Sequence, residues 1–474
     1  MEPGELLRRA YDPEDFRREA HALVDRLADY LTDVRQYPAN PYARPEESLE
    51  EFRELLGRRA TAAEIFDRVI ERSVHLHHPE YMGHQVVPPA PLAATGDLAA
   101  SLLNTGMAIF EMGRPGTAIE VVVIEEMARL LELSPAAGGF LTSGGSLANL
   151  TALLAARARF GTVSAPCVLV SDQAHYCIQR AVHVMGWGEG GIVHLPTDAE
   201  LRVDPSQIDR VISATRAGGR TPVAIVGCAC TTNSGTYDPL DELAAAAARH
   251  GLWLHVDGAH GAGVRLDPER RHLVQGLERA DSVALDFHKM FLTPAITTAL
   301  FFREAKDAFA TFRQRAEYLL EEGPEAEWFN IARRSFECTK RMLGLRMYLL
   351  LSAYGPDLFR DYIARVGWLG RQLADLINRN PDLELLVEPD INIVCFRFHH
   401  HTLNPLACDA TNELIRSRLT EAGQPYIVQT RINGRVYLRC TLTNAFTSPT
   451  DLEKMLLQVT STGYDLVALR QNIA

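Results

Sequence analysis

The spacing of apolar positions changes along this chain, and each change marks a different kind of element. From Pro13 to Leu31 apolar residues recur at intervals of three and four, with charged residues between them, which predicts a helix with one polar face. Similar helical patterning runs to about residue 75, broken by the proline-bearing stretch Tyr37–Pro45. From about residue 120 to 300 the pattern alternates. Helical segments such as the one carrying Ala244–Ala248 separate short continuous runs rich in β-branched residues: Cys167–Ser171, Gly191–Leu195, Val223–Gly227, Trp253–Asp257 and Ser282–Asp286. Continuous apolar strands separated by helices imply a mostly parallel sheet covered on both faces. Beyond about residue 345 a long helix (Pro356 to about Asn378) precedes strand-like Ile391–Phe398 and Val436–Leu442, and a last helix opens at the cap-like Ser448-Pro-Thr-Asp. The expectation is an α/β protein with an N-terminal helical segment (1–80), a large α/β domain (81–345) and a smaller C-terminal α+β domain (346–474).

Charge narrows the class of partner. The net charge of −12 over 474 residues argues against nucleic acid and anionic membranes, which favour basic patches. The N-terminus lacks the basic start and apolar core of a signal peptide, and there is no apolar run of about 18 residues to span a bilayer, so a cytoplasmic enzyme of small molecules is expected. The 8 cysteines show no CxxC pair and fit reduced, small hydrophobic side chains. Cys228-Ala-Cys230 is a poor zinc clamp and His399-His-His401 reads as a solvated loop, so no metal site is expected.

Candidate chemistry centres on Lys289, which follows the apolar run ending at Asp286, and on Asp257, which ends another such run and opens a loop of small residues. A lysine can hold an aldehyde cofactor as a Schiff base, and an anion can keep a pyridine nitrogen protonated; a pyridoxal 5'-phosphate site needs both. In open parallel sheets such groups gather at the carboxyl ends of strands. Thr142-Ser-Gly-Gly-Ser146 lies between an apolar run and a helix, where glycines, hydroxyls and a helix start suit a phosphate, although an ordinary helix cap has the same composition. His175, between a strand and a helix, can stack on a cofactor ring. Thr232 offers a hydroxyl near the same edge, and Asp238 fits a loop-bracing role. Arg439, on a C-terminal strand, has the planar cation that grips carboxylates.

With these residues in view, the chain resembles the group II pyridoxal phosphate-dependent amino acid decarboxylases, of the aspartate aminotransferase fold (fold type I). The likeness rests on the order and spacing of His78–His84, Thr142–Asn149, Ala174–Tyr176, Thr231-Thr232, His255–His260, Asp286–Lys289 and Leu438–Asn444. The resemblance implies a mostly parallel sheet of seven strands and a homodimer. It implies that Lys289 binds the cofactor aldehyde, Asp257 faces the pyridine nitrogen, His175 and Ala259 cover the two ring faces, and Thr232 lies near a cofactor or substrate oxygen. Ser143, Gly144, Gly145, Ser146 and His288 then serve the phosphate. Tyr81, Met82, His84 and Phe110 line the substrate pocket, and Arg439 orients a carboxylate. The implied reaction is decarboxylation of an L-amino acid to its amine through a Lys289 Schiff base and a quinonoid, with Tyr318, His175 or water returning the proton to Cα. The alternatives are an oxygen-dependent route to an aldehyde, transamination, retro-aldol cleavage or a catalytically silent homologue. The chain departs from the family pattern at Glu111–Glu120, Leu147 and Cys338–Arg341.

Overall fold

The β-branched runs after residue 160 all form strands, and two further strands complete their sheet. The computed structural model describes residues 2–312 and 329–473. The chain divides into a larger unit, residues 85–375 and 385–395, and a smaller one, residues 1–84, 376–384 and 396–474.

In the larger unit the strands are β1 (Gly138–Thr142), β2 (Pro166–Ser171), β3 (Ile192–Leu195), β4 (Thr221–Cys228), β5 (Trp253–Asp257), β6 (Ser282–Asp286) and β7 (Thr298–Phe302). They form one 7-stranded sheet in the order β1-β7-β6-β5-β4-β2-β3. Strands β2 to β6 pair in parallel, whereas β7 runs antiparallel to both β6 and β1. Every residue of β5, β6 and β7 is buried, as two helix-covered faces require. The helix Gly145–Phe160 turns Ala148, Ala152, Ala155 and Ala156 inward, and these small side chains let it approach Phe140, Trp253 and Phe302 of the sheet. β1 and β7 were not among the predicted strands; Gly138-Gly139 and the Pro294 loop obscure their apolar runs.

The smaller unit carries the predicted N-terminal helices, Pro13–Asp33, Pro45–Gly57 and Ala62–Arg72. Asp12 caps the first of them by accepting from Glu14 N and Asp15 N. A 4-stranded sheet of order β10-β11-β9-β8 uses β8 (Leu383–Leu385), β9 (Ile393–Phe398), β10 (Val428–Ile432) and β11 (Arg435–Thr441). Asn433 and Gly434, both at positive φ, form the tight hairpin between β10 and β11. The final helix, Pro449–Ile473, starts at the expected cap: Ser448 N and Oγ donate to Asp451, and Asp451 N donates back to Ser448 Oγ. Among the described residues, no helix is long and apolar enough to cross a membrane.

Candidate active site

Because β7 reverses direction twice over, β1 points the same way as β2 to β6, and all these strands end at one edge of the sheet. The segments that follow the ends of β1, β2, β4, β5 and β6 surround a cavity of about 380 Å³. Ser143, Gly144, Gly145 and Ser146 line it after β1, His175 after β2, Thr232 after β4, Asp257 and Ala259 at β5, and His288 and Lys289 after β6. Every position assigned to the cofactor from sequence therefore faces one space.

At the β1 end, Gly144 sits at φ +132°, a conformation that side chains rarely adopt, and its carbonyl starts the helix Gly145–Phe160. A Cβ on Gly145 would come within 3.1 Å of Asp286 Oδ1, so glycine is what fits between the helix start and β6. The first amides of a helix carry a partial positive charge, which makes this bare backbone a cradle for an anion such as phosphate.

Across the cavity floor lie two carboxylates. Asp286 Oδ2 is 2.9 Å from Lys289 Nζ, and Thr298 Oγ1 donates to Asp286 Oδ1 at 2.5 Å from the neighbouring strand. Burial disfavours the charge on Lys289, but Asp286 and Asp257 outweigh it and hold its pKa above the ordinary lysine value. Burial likewise opposes ionisation of Asp286, and Lys289 and His288 more than reverse that effect. The second carboxylate, Asp257, accepts from Asn149 Nδ2 at 2.9 Å and from Ala259 N at 3.2 Å. Neither Asp286 nor Asn149 was singled out from sequence. Both lay inside quoted motifs, and only the register of β6 against β7 and the helix facing reveal their partners.

His175 Nδ1 accepts the N–H of Cys177 at 3.2 Å, which leaves the ring proton on Nε2, and burial lowers its pKa. The neighbouring ring of Tyr176 lies 4.1 Å away. Cys177, Cys228 and Cys230 also line the cavity; burial pushes Cys177 up to about 12, so it is a neutral thiol. Asp238 does brace the loop: it accepts from Cys228 N at 2.8 Å and Val203 N at 3.0 Å, and burial raises it to about 6.

The remaining candidates lie elsewhere. Phe110 begins the helix Phe110–Leu130, gives its N–H to Asn330 Oδ1 at 3.1 Å and packs 5.3 Å from Phe329; it does not line the cavity. Tyr81, Met82, His84 and Arg439 belong to the smaller unit and form a cluster there. Tyr81 stacks on Tyr426 with ring centroids 5.5 Å apart, and its hydroxyl accepts His84 N. Met82 is fully buried between Tyr426 and Thr441, to which its backbone bonds. Burial and the nearby cations Arg439 and Arg416 lower the pKa of His84. Arg439 itself is buried, unlike most strand arginines. Tyr318 lies outside the described residues.

An amine on Lys289 and a separate carboxylate on Asp257, in one cavity beside a glycine-lined helix start, make the donor set that suits pyridoxal phosphate. The pyridoxal-dependent decarboxylase conserved domain matches residues 63–399, and the chain belongs to that family of enzymes, whose cofactor is pyridoxal 5'-phosphate. It is 31% identical to L-2,4-diaminobutyrate decarboxylase of Rhizobium meliloti over 410 residues, covering 86% of this chain and 82% of that one. It is 26% identical to aromatic-L-amino-acid decarboxylase of Bacillus atrophaeus over 457 residues, covering 94% and 95%. The fold matches the crystal structure of Oryza sativa TDC with PLP and tryptamine at a TM-score of 0.87 and 24% identity, covering 96% of this chain and 99% of that one.

Proposed function

We propose that this enzyme removes the α-carboxylate of an L-amino acid and returns a proton to Cα, releasing the amine. The observation that carries the reading is the Lys289–Asp286 ion pair in the same cavity as a fixed Asp257. When bound, pyridoxal phosphate supplies an electron-accepting ring that takes up the charge left by departing carbon dioxide. The chain's own groups do the rest. Lys289 would bind the cofactor aldehyde and give way to the substrate amine, and Asp257 would face the pyridine nitrogen and keep it protonated. Ser143, Gly144, Gly145, Ser146 and His288 would hold the phosphate, and Ala259 and His175 would cover the ring. His175, with its proton on Nε2, is suited to proton exchange at Cα. The exposed Leu102, Leu103, Met112 and Phe336 of the larger unit give apolar surface for a second copy to cover, which supports a homodimer.

The relatives' names set the substrate panel: L-2,4-diaminobutyrate first, because that relative exceeds 30% identity, then tryptophan and aspartate. Purified holoenzyme is incubated with each, and amine, carbon dioxide, peroxide and ammonia are measured together. Equal amine and carbon dioxide without peroxide is the expected result. Peroxide and ammonia in step with carbon dioxide point instead to the aldehyde-forming route, and full turnover by Lys289→Ala refutes the proposal. An active species that sediments as a monomer excludes the homodimer.

A further inference from the structure

Behind Asp257 runs a line of buried polar side chains that the steps above leave unused. The indole N–H of Trp253 donates to Ser282 Oγ at 2.8 Å, and Ser282 Oγ lies 2.9 Å from His255 Nδ1. His255 Nε2 lies 2.7 Å from Asn149 Oδ1, and Asn149 Nδ2 donates to Asp257 Oδ2 at 2.9 Å. Trp253 and Asn149 are 1% exposed, and Ser282 and His255 are 0% exposed, so water does not compete for these bonds.

The direction of the line is fixed from the Asp257 end. A carboxylate can only accept, so Asn149 turns its amide N–H to Asp257 and its carbonyl to His255. His255 Nε2 must then carry the proton, and in a neutral ring Nδ1 is left to accept. Ser282 gives its hydroxyl proton there, while its oxygen accepts the indole N–H of Trp253. Burial drops the His255 pKa to about 4, so the ring stays neutral at ordinary pH. Turning the Asn149 amide about would set its carbonyl against the Asp257 carboxylate and its N–H against that of His255 in a dry interior, a costly arrangement.

We propose that Trp253, Ser282, His255 and Asn149 are positioning residues that make Asp257 a hydrogen-bond acceptor on its inner side, holding it as an anion in a set orientation toward the cofactor's pyridine nitrogen. The relay rests on the assignment of Asp257 to that nitrogen. Its second N–H acceptance, from Ala259 at 3.2 Å, comes from the backbone and adds to the same polarity. Asn149 also reaches Cys177 Sγ at 3.2 Å, which occupies its other amide proton and further pins the side chain.

The test uses holoenzyme reconstituted with pyridoxal phosphate isotopically labelled at the ring nitrogen, whose NMR shift reports protonation there. Wild type should show the protonated signal, and Asp257→Asn should move it toward the unprotonated position. If Asp257→Asn leaves it in place, the assignment of Asp257 fails, whatever the relay does. Ser282→Ala should move the signal part of the way, and Ser282→Thr, which keeps the hydroxyl, should restore it. A Ser282→Ala signal identical to wild type, alongside a shifted Asp257→Asn signal, overturns the relay. Because Ser282→Ala strips partners from buried groups and can impair folding, a second measurement is made on the unaltered enzyme. The side-chain nitrogen resonances of His255 should show the neutral Nε2–H tautomer, and a Nδ1–H tautomer or a cation overturns the relay.

Discussion

Lys340→Met should destabilise the larger unit strongly, because Lys340 and Glu120 together do the work of a neighbouring strand. β1 is an edge strand. The N–H of Leu141 donates to Glu120 Oε1 at 2.9 Å, Lys340 Nζ donates to the Leu141 carbonyl, and Lys340 lies 2.6 Å from Glu120. The side chains are 3% and 1% exposed, and burial lowers the Lys340 pKa despite its partner. Removing one member of such a pair strands the other charge, at a cost of about 3–5 kcal/mol. The abandoned Leu141 carbonyl adds about 1–3 kcal/mol. Arg334, also buried and within the field of Glu120, offsets part of this, so about 3–5 kcal/mol is expected overall. Adding Glu120→Leu removes the stranded charge, and the double variant should be more stable than the sum of the single effects by about 1–3 kcal/mol. Urea denaturation of the cofactor-free enzyme, followed by tryptophan fluorescence, measures all of them. A loss under about 1 kcal/mol for Lys340→Met, or strict additivity in the cycle, would show that the pair carries no such burden.

Other perturbations test the site. Asp286→Asn removes the anion 2.9 Å from Lys289 Nζ and leaves burial dominant, so the lysine pKa should fall. More of it is then the free amine, and capture of added pyridoxal phosphate by the cofactor-free enzyme should quicken about tenfold per unit of pKa lost; an unchanged or slower stopped-flow absorbance change refutes this. Gly144→Ala forces a side chain into φ +132°, and the strain of about 1–3 kcal/mol should weaken cofactor binding tenfold or more, measured by equilibrium dialysis. Unaltered affinity would remove Gly144 from the phosphate cradle. Asp238, raised from 3.8 to about 6 in the fold, binds a proton there that it lacks when unfolded, so its contribution to stability falls as pH rises through that window. Relative to Asp238→Asn, the native enzyme should lose roughly 2 kcal/mol between about pH 4 and pH 6 in urea titrations, and a pH-independent difference contradicts it.

Much of this was legible in the sequence, for physical reasons. A strand buried on both faces must be apolar throughout, so Val223–Gly227, Trp253–Asp257 and Ser282–Asp286 announced themselves, and parallel strands must deliver their ends to one edge. That is why Asp257, His175 and Lys289 were grouped before any geometry was known. The helix start at Gly145 was legible because glycines followed by a small-residue helix leave few other readings. Pairings between distant residues were not legible. Lys340 sat in a segment noted only for departing from the family pattern, and nothing nearby in sequence indicates that its partner is Glu120. Asn149 and His255 lie on a helix and a strand, and no local pattern shows that the two faces meet. β7 was not among the predicted strands, and even its apolar run would not reveal the reversal, because an antiparallel buried strand has the same composition as a parallel one.

The seat of β7 between β1 and β6 has a consequence for synthesis. Thr142, just before the phosphate cradle, reaches the rest of the sheet only through Thr298, which also pairs with Asp286. A nascent chain that has emerged only as far as Lys289 has the side chain proposed to hold the cofactor, but β1 still lacks its strand partner β7. The seat proposed for the phosphate is therefore expected to settle only once Phe302 has been made, because β1 joins its sheet through a partner far along the chain.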